Sequence, residues 1–131
     1  MKPHELRYGN LVYRIFDSPK HPEDFEVVKI GAINGIENTY CCSDDCIGNL
    51  DELEPIKLTE EYLLKLGFKK GSYKKFWGIE FFKNGISICL EDNEFRFYRS
   101  TNRAYTIYDY VNEIQNLYYS LSGEELEYKT F

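Results

Sequence analysis

The sequence predicts an α+β fold, and three observations carry that prediction. Short runs of β-branched and aromatic residues, separated by Gly, Asn, Asp and Pro, fill the first 55 positions. Two stretches with helical apolar spacing follow, one after Leu58 and one near the C-terminus. Between them, alternating apolar runs are punctuated by turn dipeptides, the pattern of an antiparallel meander. The chain has 131 residues, 43% of them hydrophobic and 17% aromatic, enough to fold as one domain or as two very small ones. Charge suggests where a division falls. Positions 1–55 hold five basic and eleven acidic residues, whereas the rest balances at eleven of each. No Gly/Ser linker marks the change, so the expectation is two packed halves, 1–57 and 58–131.

In the first half, Gly9-Asn10 turns into a strand from Leu11 to Phe16. Positions 17–24 form a polar loop, because Pro19 and Pro22 cannot donate to a ladder. A second strand runs from Phe25 to about Ile33. Asn34-Gly35 then reads as a hairpin turn, since both residues tolerate positive φ. Ile36 to Cys42 returns as a third strand, and Leu50 to Leu53 supplies a short further one. Strands this short with turns this tight predict a small curled sheet or half-open barrel, Src-homology-3-like in character.

The second half opens on a helix. Thr59 caps it, Glu60 and Glu61 suit the positive end of its dipole, and Gly67 stops it. Tyr62, Leu63 and Leu66 form its apolar stripe. A meander follows: Ser72 to Phe82, the Asn84-Gly85 turn, Ile86 to Leu90, a turn at Glu91-Asp92-Asn93, and Glu94 to Tyr98. Period-2 alternation places Ile86, Ile88, Leu90, Phe95 and Phe97 on one face, which both helices are expected to cover. The opposite face carries Ser87, Cys89, Arg96 and Tyr98. It is either a binding surface or the seat of the N-terminal half. A last helix runs from about Tyr108 to Leu121, with Val111, Ile114, Leu117, Tyr118 and Leu121 inward and Gly123 as its stop.

Three segments are similar to an uncharacterised family of small proteins from gut anaerobic bacteria, their phages and their integrated elements. They are Glu5 to Val12, Leu53 to Phe68, and Val111 to Leu126. The resemblance implies a bacterial or phage accessory protein, and it brings no reaction, ligand or catalytic residue with it.

Composition and motifs exclude several function classes. No run approaches the ~20 apolar residues of a membrane helix, and Met1 to Glu5 leads into no apolar signal core, so a cytoplasmic protein without membrane association is expected. Cys41, Cys42, Cys46 and Cys89 lack the second ligand pair of a zinc site. In a reducing compartment they read as unlinked small hydrophobes. His4 and His21 have no partner arranged for nucleophilic catalysis. Asp44/Asp45 and Glu91/Asp92 adjoin turn formers, and turn chemistry accounts for them. No catalytic residue, metal or cofactor is indicated. The leading reading is therefore a non-enzymatic interaction module that contacts another protein through an acidic N-terminal surface or the exposed aromatic patches.

The alternative is a single-stranded nucleic-acid binder. Lys65, Lys69, Lys70, Lys74, Lys75 and Lys83 are interleaved with Tyr73, Phe76, Trp77, Phe81 and Phe82, and Glu80 is the one acid among them. Lysines supply phosphate contacts and aromatic rings supply stacking. Arg96, Tyr98, Arg99 and Arg103 extend that surface. Lys74, Lys75, Trp77, Arg96 and Tyr98 are accordingly the candidate binding residues. Against this stands the net charge of −6, which disfavours unspecific attraction to nucleic acid.

Overall fold

The structure, a computed structural model, describes residues 1, 6–15, 25–42, 47–75, 78–98 and 104–127, with backbone alone at 15, 25 and 72–75. The chain divides into two compact units, Met1–Ile56 and Lys57–Phe131. Each holds one five-stranded antiparallel sheet, and helices are few: a mixed α+β protein.

The first unit contains β1 (Leu11–Ile15), β2 (Phe25–Asn34), β3 (Thr39–Cys42), β4 (Ile47–Asn49) and β5 (Leu53–Glu54), with a 3-10 helix at Leu50–Glu52. Its sheet order is β4-β3-β2-β1-β5. β2 is its central strand, and β1 is interior too, pairing Leu11–Ile15 with Phe25–Lys29 on one side and Tyr13 with Glu54 on the other. Among the described residues no pairing joins β4 to β5, so the sheet stays open. A register shift at Ile30/Ala32 interrupts β2, the kind of irregularity that bends a strand. The core comprises Leu6, Val12, Val28, Ile30, Tyr40, Cys42, Leu50 and Leu53.

Two local expectations for this unit need correction. The β2–β3 connection is not a two-residue turn at Asn34-Gly35. Asn34 Oδ1 instead accepts from the backbone N–H of Ile36 and Glu37, both at 3.1 Å, and Asn38 takes the left-handed conformation at φ 57°. This Asx arrangement lengthens the loop, so β3 begins at Thr39 and Ile36 stands in solvent, 99% exposed. Leu50 to Leu53 is likewise not one strand. Asn49 Oδ1 accepts from Asp51 N–H at 2.9 Å and caps the 3-10 turn there.

The second unit runs α1 (Glu60–Lys65), β6 (Lys69–Lys75), β7 (Gly78–Lys83), β8 (Ile86–Glu91), β9 (Glu94–Tyr98), β10 (Tyr105–Tyr108) and α2 (Val111–Ser122). Thr59 Oγ1 accepts from Tyr62 N–H at 3.3 Å to cap α1, and Gly67 ends it at φ 93°. Glu113 reaches back to accept from the backbone N–H of Asp109 and Tyr110, both at 3.0 Å, fixing the start of α2. Strands pair only with chain neighbours, in the order β10-β9-β8-β7-β6. The β7–β8 and β8–β9 connections are tight: Asn84-Gly85 and Asp92-Asn93 all have positive φ, as a type I′ turn requires.

Residues 72–82 do not form one strand. They are divided between two antiparallel strands, β6 and β7, with Lys75 paired to Gly78. β10 was not anticipated; the helical reading began at Tyr108, where the chain is still extended against Phe95.

One sheet face carries Phe81, Ile86, Ile88 and Phe95, all buried, with the Phe81 and Phe95 rings 6.5 Å apart. Lys83, at its end, links both helices: its Nζ donates to the Leu66 carbonyl at 3.3 Å and lies 5.6 Å from the Tyr118 ring centre. Asn84 Nδ2 donates to the Tyr118 hydroxyl at 2.7 Å. Leu63, Leu66, Val111, Ile114 and Tyr118 are buried as their spacing implied, whereas Leu121 is 54% exposed.

Candidate functional site

The other face of the second sheet gathers the chemistry. Alternation along β8 and β9 brings Cys89, Glu91, Glu94, Arg96 and Tyr98 to the same side, with Cys89 opposite Arg96 and Glu91 opposite Glu94. β10 adds Tyr105 opposite Tyr98 and Ile107 opposite Arg96. The type I′ turn at Asp92-Asn93 sets this register, since a slip of one residue would send every side chain to the helix-covered face.

Arg96 is the hub. Its Nη1 donates to Glu91 Oε2 at 2.8 Å and its Nη2 to Glu94 Oε1 at 2.7 Å, with Asp92 Oδ2 at 3.7 Å. The Tyr105 ring lies against the guanidinium, its centre 4.5 Å from Cζ, a cation–π geometry. Tyr98 donates its hydroxyl to the same Glu91 oxygen at 2.6 Å and packs against Tyr105 at 5.4 Å between ring centres. The hydrogen bonds with Glu94 and then Tyr98 hold Arg96 firmly protonated. Donation to Glu91, reinforced by burial, pushes the Tyr98 phenol above its ordinary value.

Gly78 makes room for this arrangement. A Cβ there would lie 2.5 Å from Glu91 Cγ and 2.6 Å from the Leu90 carbonyl oxygen, closer than carbon tolerates. Glu91 is itself buried. It is a strand residue engaged by two partners, which corrects the reading of Glu91/Asp92 as turn chemistry alone. Glu91, Tyr105 and Gly78 were not among the candidate residues. The signal for Glu91 was present all the same, because the alternation that puts Ile88 inward puts position 91 beside Cys89 and Arg96.

With three carboxylates around one guanidinium, the cluster carries a charge of −2. Beside it Tyr105 is 44%, Ile107 39% and Phe82 40% exposed. An internally neutralised arginine, excess carboxylate and accessible apolar side chains thus share one face. Such a surface can bind and orient.

No family model matches this chain, and no curated protein or solved structure does either.

Of the candidate binding residues, the structure brings Arg96 and Tyr98 together. Lys74 and Lys75 lie on β6, paired with Ile79 and Gly78, and Trp77 lies outside the described residues. So do His4, His21, Asp44, Asp45, Cys46, Phe76, Arg99 and Arg103. Phe81, offered as a stacking residue, is fully buried instead. In the lysine stretch, Lys70 pairs with Glu60 at 2.7 Å and Lys65 with Glu61 at 3.1 Å. Among the described residues no group of three or more His, Cys, Asp or Glu is placed to hold a metal, and no helix is long and apolar enough to cross a membrane. Cysteine chemistry needs one correction. Cys41 and Cys89 are half-buried thiols, but Cys42 is disulfide-bonded, so the cysteines are not all unlinked.

Proposed function

We propose that this protein is a non-enzymatic interaction module that binds another protein through the Arg96/Tyr98 face of its second sheet. The observation that carries the reading is the internal neutralisation of Arg96. A guanidinium already engaged by Glu91 and Glu94 and covered by Tyr105 has little left to offer a phosphate. The apolar side chains beside it remain accessible, as a protein contact requires. The spent lysines support the same choice: Lys65, Lys70 and Lys83 are held by Glu61, Glu60 and the Leu66 carbonyl. As part of this proposal the first unit is a half-open, Src-homology-3-like barrel, supported by its five short antiparallel strands and the interrupted central β2. The second unit is a helix–meander–helix module. A cytoplasmic role as a bacterial or phage accessory protein rests on the sequence resemblance.

Retention on immobilised oligothymidylate at low salt tests the choice. The expected result is no retention. Retention that fades as salt rises, through loss of counterion release, and that disappears in the Lys74→Glu/Lys75→Glu double variant would establish the single-strand alternative in its place.

A further inference from the structure

We infer that the occupant of the Arg96/Tyr98 face is a lysine- or arginine-rich segment carrying apolar side chains, an inference that rests on the interaction-module reading above. The apolar part of the site is the outward side of β10, where Tyr105 and Ile107 are 44% and 39% exposed. In register, Ile107 lies opposite Arg96, so the cation across from it is the one tied to Glu91 and Glu94. Among the described residues of β8, β9 and β10 and the β8–β9 turn, the balance of charge is negative. Asp92 projects from the β8–β9 turn with 89% of its side chain exposed, 3.7 Å from the guanidinium but not consumed by it. Glu94 keeps 36% exposure, while exposed Asp109, directly after β10, has exposed Lys57 close by through the Lys57–Tyr110 bridge, so the excess carboxylate is that of Glu91, Asp92 and Glu94. Lys69 is exposed too, but it stands on β6, at the opposite edge of the sheet. An incoming cation therefore meets uncompensated carboxylate beside an apolar strip. An acidic peptide or a phosphate backbone would meet like charge there, which costs binding and slows encounter. Glu91 and Glu94 are fixed by Arg96, and the strand that carries Tyr105 and Ile107 is held by its pairing with β9.

Fluorescence anisotropy of the full chain with three labelled probes tests this: a peptide alternating lysine and leucine, the same peptide with glutamate for lysine, and oligothymidylate. The lysine peptide should bind and weaken as salt rises. Ile107→Lys should weaken it at least about tenfold by removing apolar contact and reversing local charge, and Asp92→Asn about threefold. A thermal melt checks that Ile107→Lys folds, and Tyr105→Ser serves as a second probe of the strip. Failure of the lysine peptide to bind, equal binding of the glutamate peptide, or unchanged affinity in both Ile107→Lys and Tyr105→Ser overturns the inference while leaving the interaction-module reading standing. Tight binding of oligothymidylate overturns that reading as well.

Discussion

Replacing Gly78 with alanine probes how the Arg96 cluster is held. Gly78 has no positive φ, so any cost comes from space. The added Cβ would lie 2.5 Å from Glu91 Cγ and 2.6 Å from the Leu90 carbonyl oxygen, against an ordinary carbon–carbon contact of about 3.5–4.0 Å. The Leu90 oxygen belongs to a strand paired on both sides and cannot retreat cheaply. Glu91 would have to move, loosening its bonds to Arg96 and Tyr98. Overpacking of this kind costs about 1–3 kcal/mol, and the lower chain entropy of unfolded alanine returns about 0.4–1 kcal/mol. The net is a loss of roughly 1–2 kcal/mol, which lowers Tm by about 4–8 °C for each kcal/mol lost in a unit of this size. Thermal melts of parent and variant measure it, and near-ultraviolet circular dichroism reports the Tyr98–Tyr105 packing. An alanine variant that melts with the parent or above it, with its tyrosine signal intact, would refute the reasoning.

Gly48→Ala should destabilise the first unit by about 1–3 kcal/mol, because its Cβ would come within 2.6 Å of the buried Tyr40 hydroxyl and 2.7 Å of Glu52 Oε2; urea denaturation gives the value. Ile88→Ala empties a fully buried site paired with Phe81 and should cost about 2–5 kcal/mol by the same assay. Asn84→Ala, which removes a donor to Tyr118 and puts alanine at φ 48°, should cost about 1–3 kcal/mol. For Tyr98 the folded state holds the phenolic proton more tightly than the unfolded chain does. Its stabilisation is thus intact below the ordinary tyrosine pKa of about 10 and disappears as pH climbs through the raised folded value. Stability measured from neutral to strongly alkaline pH should fall less steeply in Tyr98→Phe. An identical slope would show that this hydroxyl is not the titrating group.

Where local chemistry decides the structure, the sequence was readable. Asn84-Gly85 and Asp92-Asn93 must turn, Thr59 and Gly67 must bracket a helix, and the alternation of Ile86, Ile88 and Phe95 must face a core. Where competing local bonds decide it, the reading slipped. Asn34 looked like the first residue of a two-residue turn, but its side chain bonds two backbone amides and lengthens the loop. Tyr105–Tyr108 is too short and too close to α2 to announce itself; only its pairing with β9 makes it a strand. The site was half visible for a related reason. Arg96 and Tyr98 followed from alternation, but Glu91 was assigned to the turn beside it. The room that Gly78 leaves for Glu91 depends on a neighbouring strand, which no single-strand pattern records.

The pairing order of the two sheets has a kinetic consequence. In the C-terminal unit each strand meets only the one before or after it, so every ladder closes a short loop at little entropic cost, and zipping can start at either tight turn. The N-terminal sheet requires Tyr13 to find Glu54 across almost the whole unit, a search that begins only when both ends have been synthesised. Although the acidic unit leaves the ribosome first, the meander has the faster route to its native ladder.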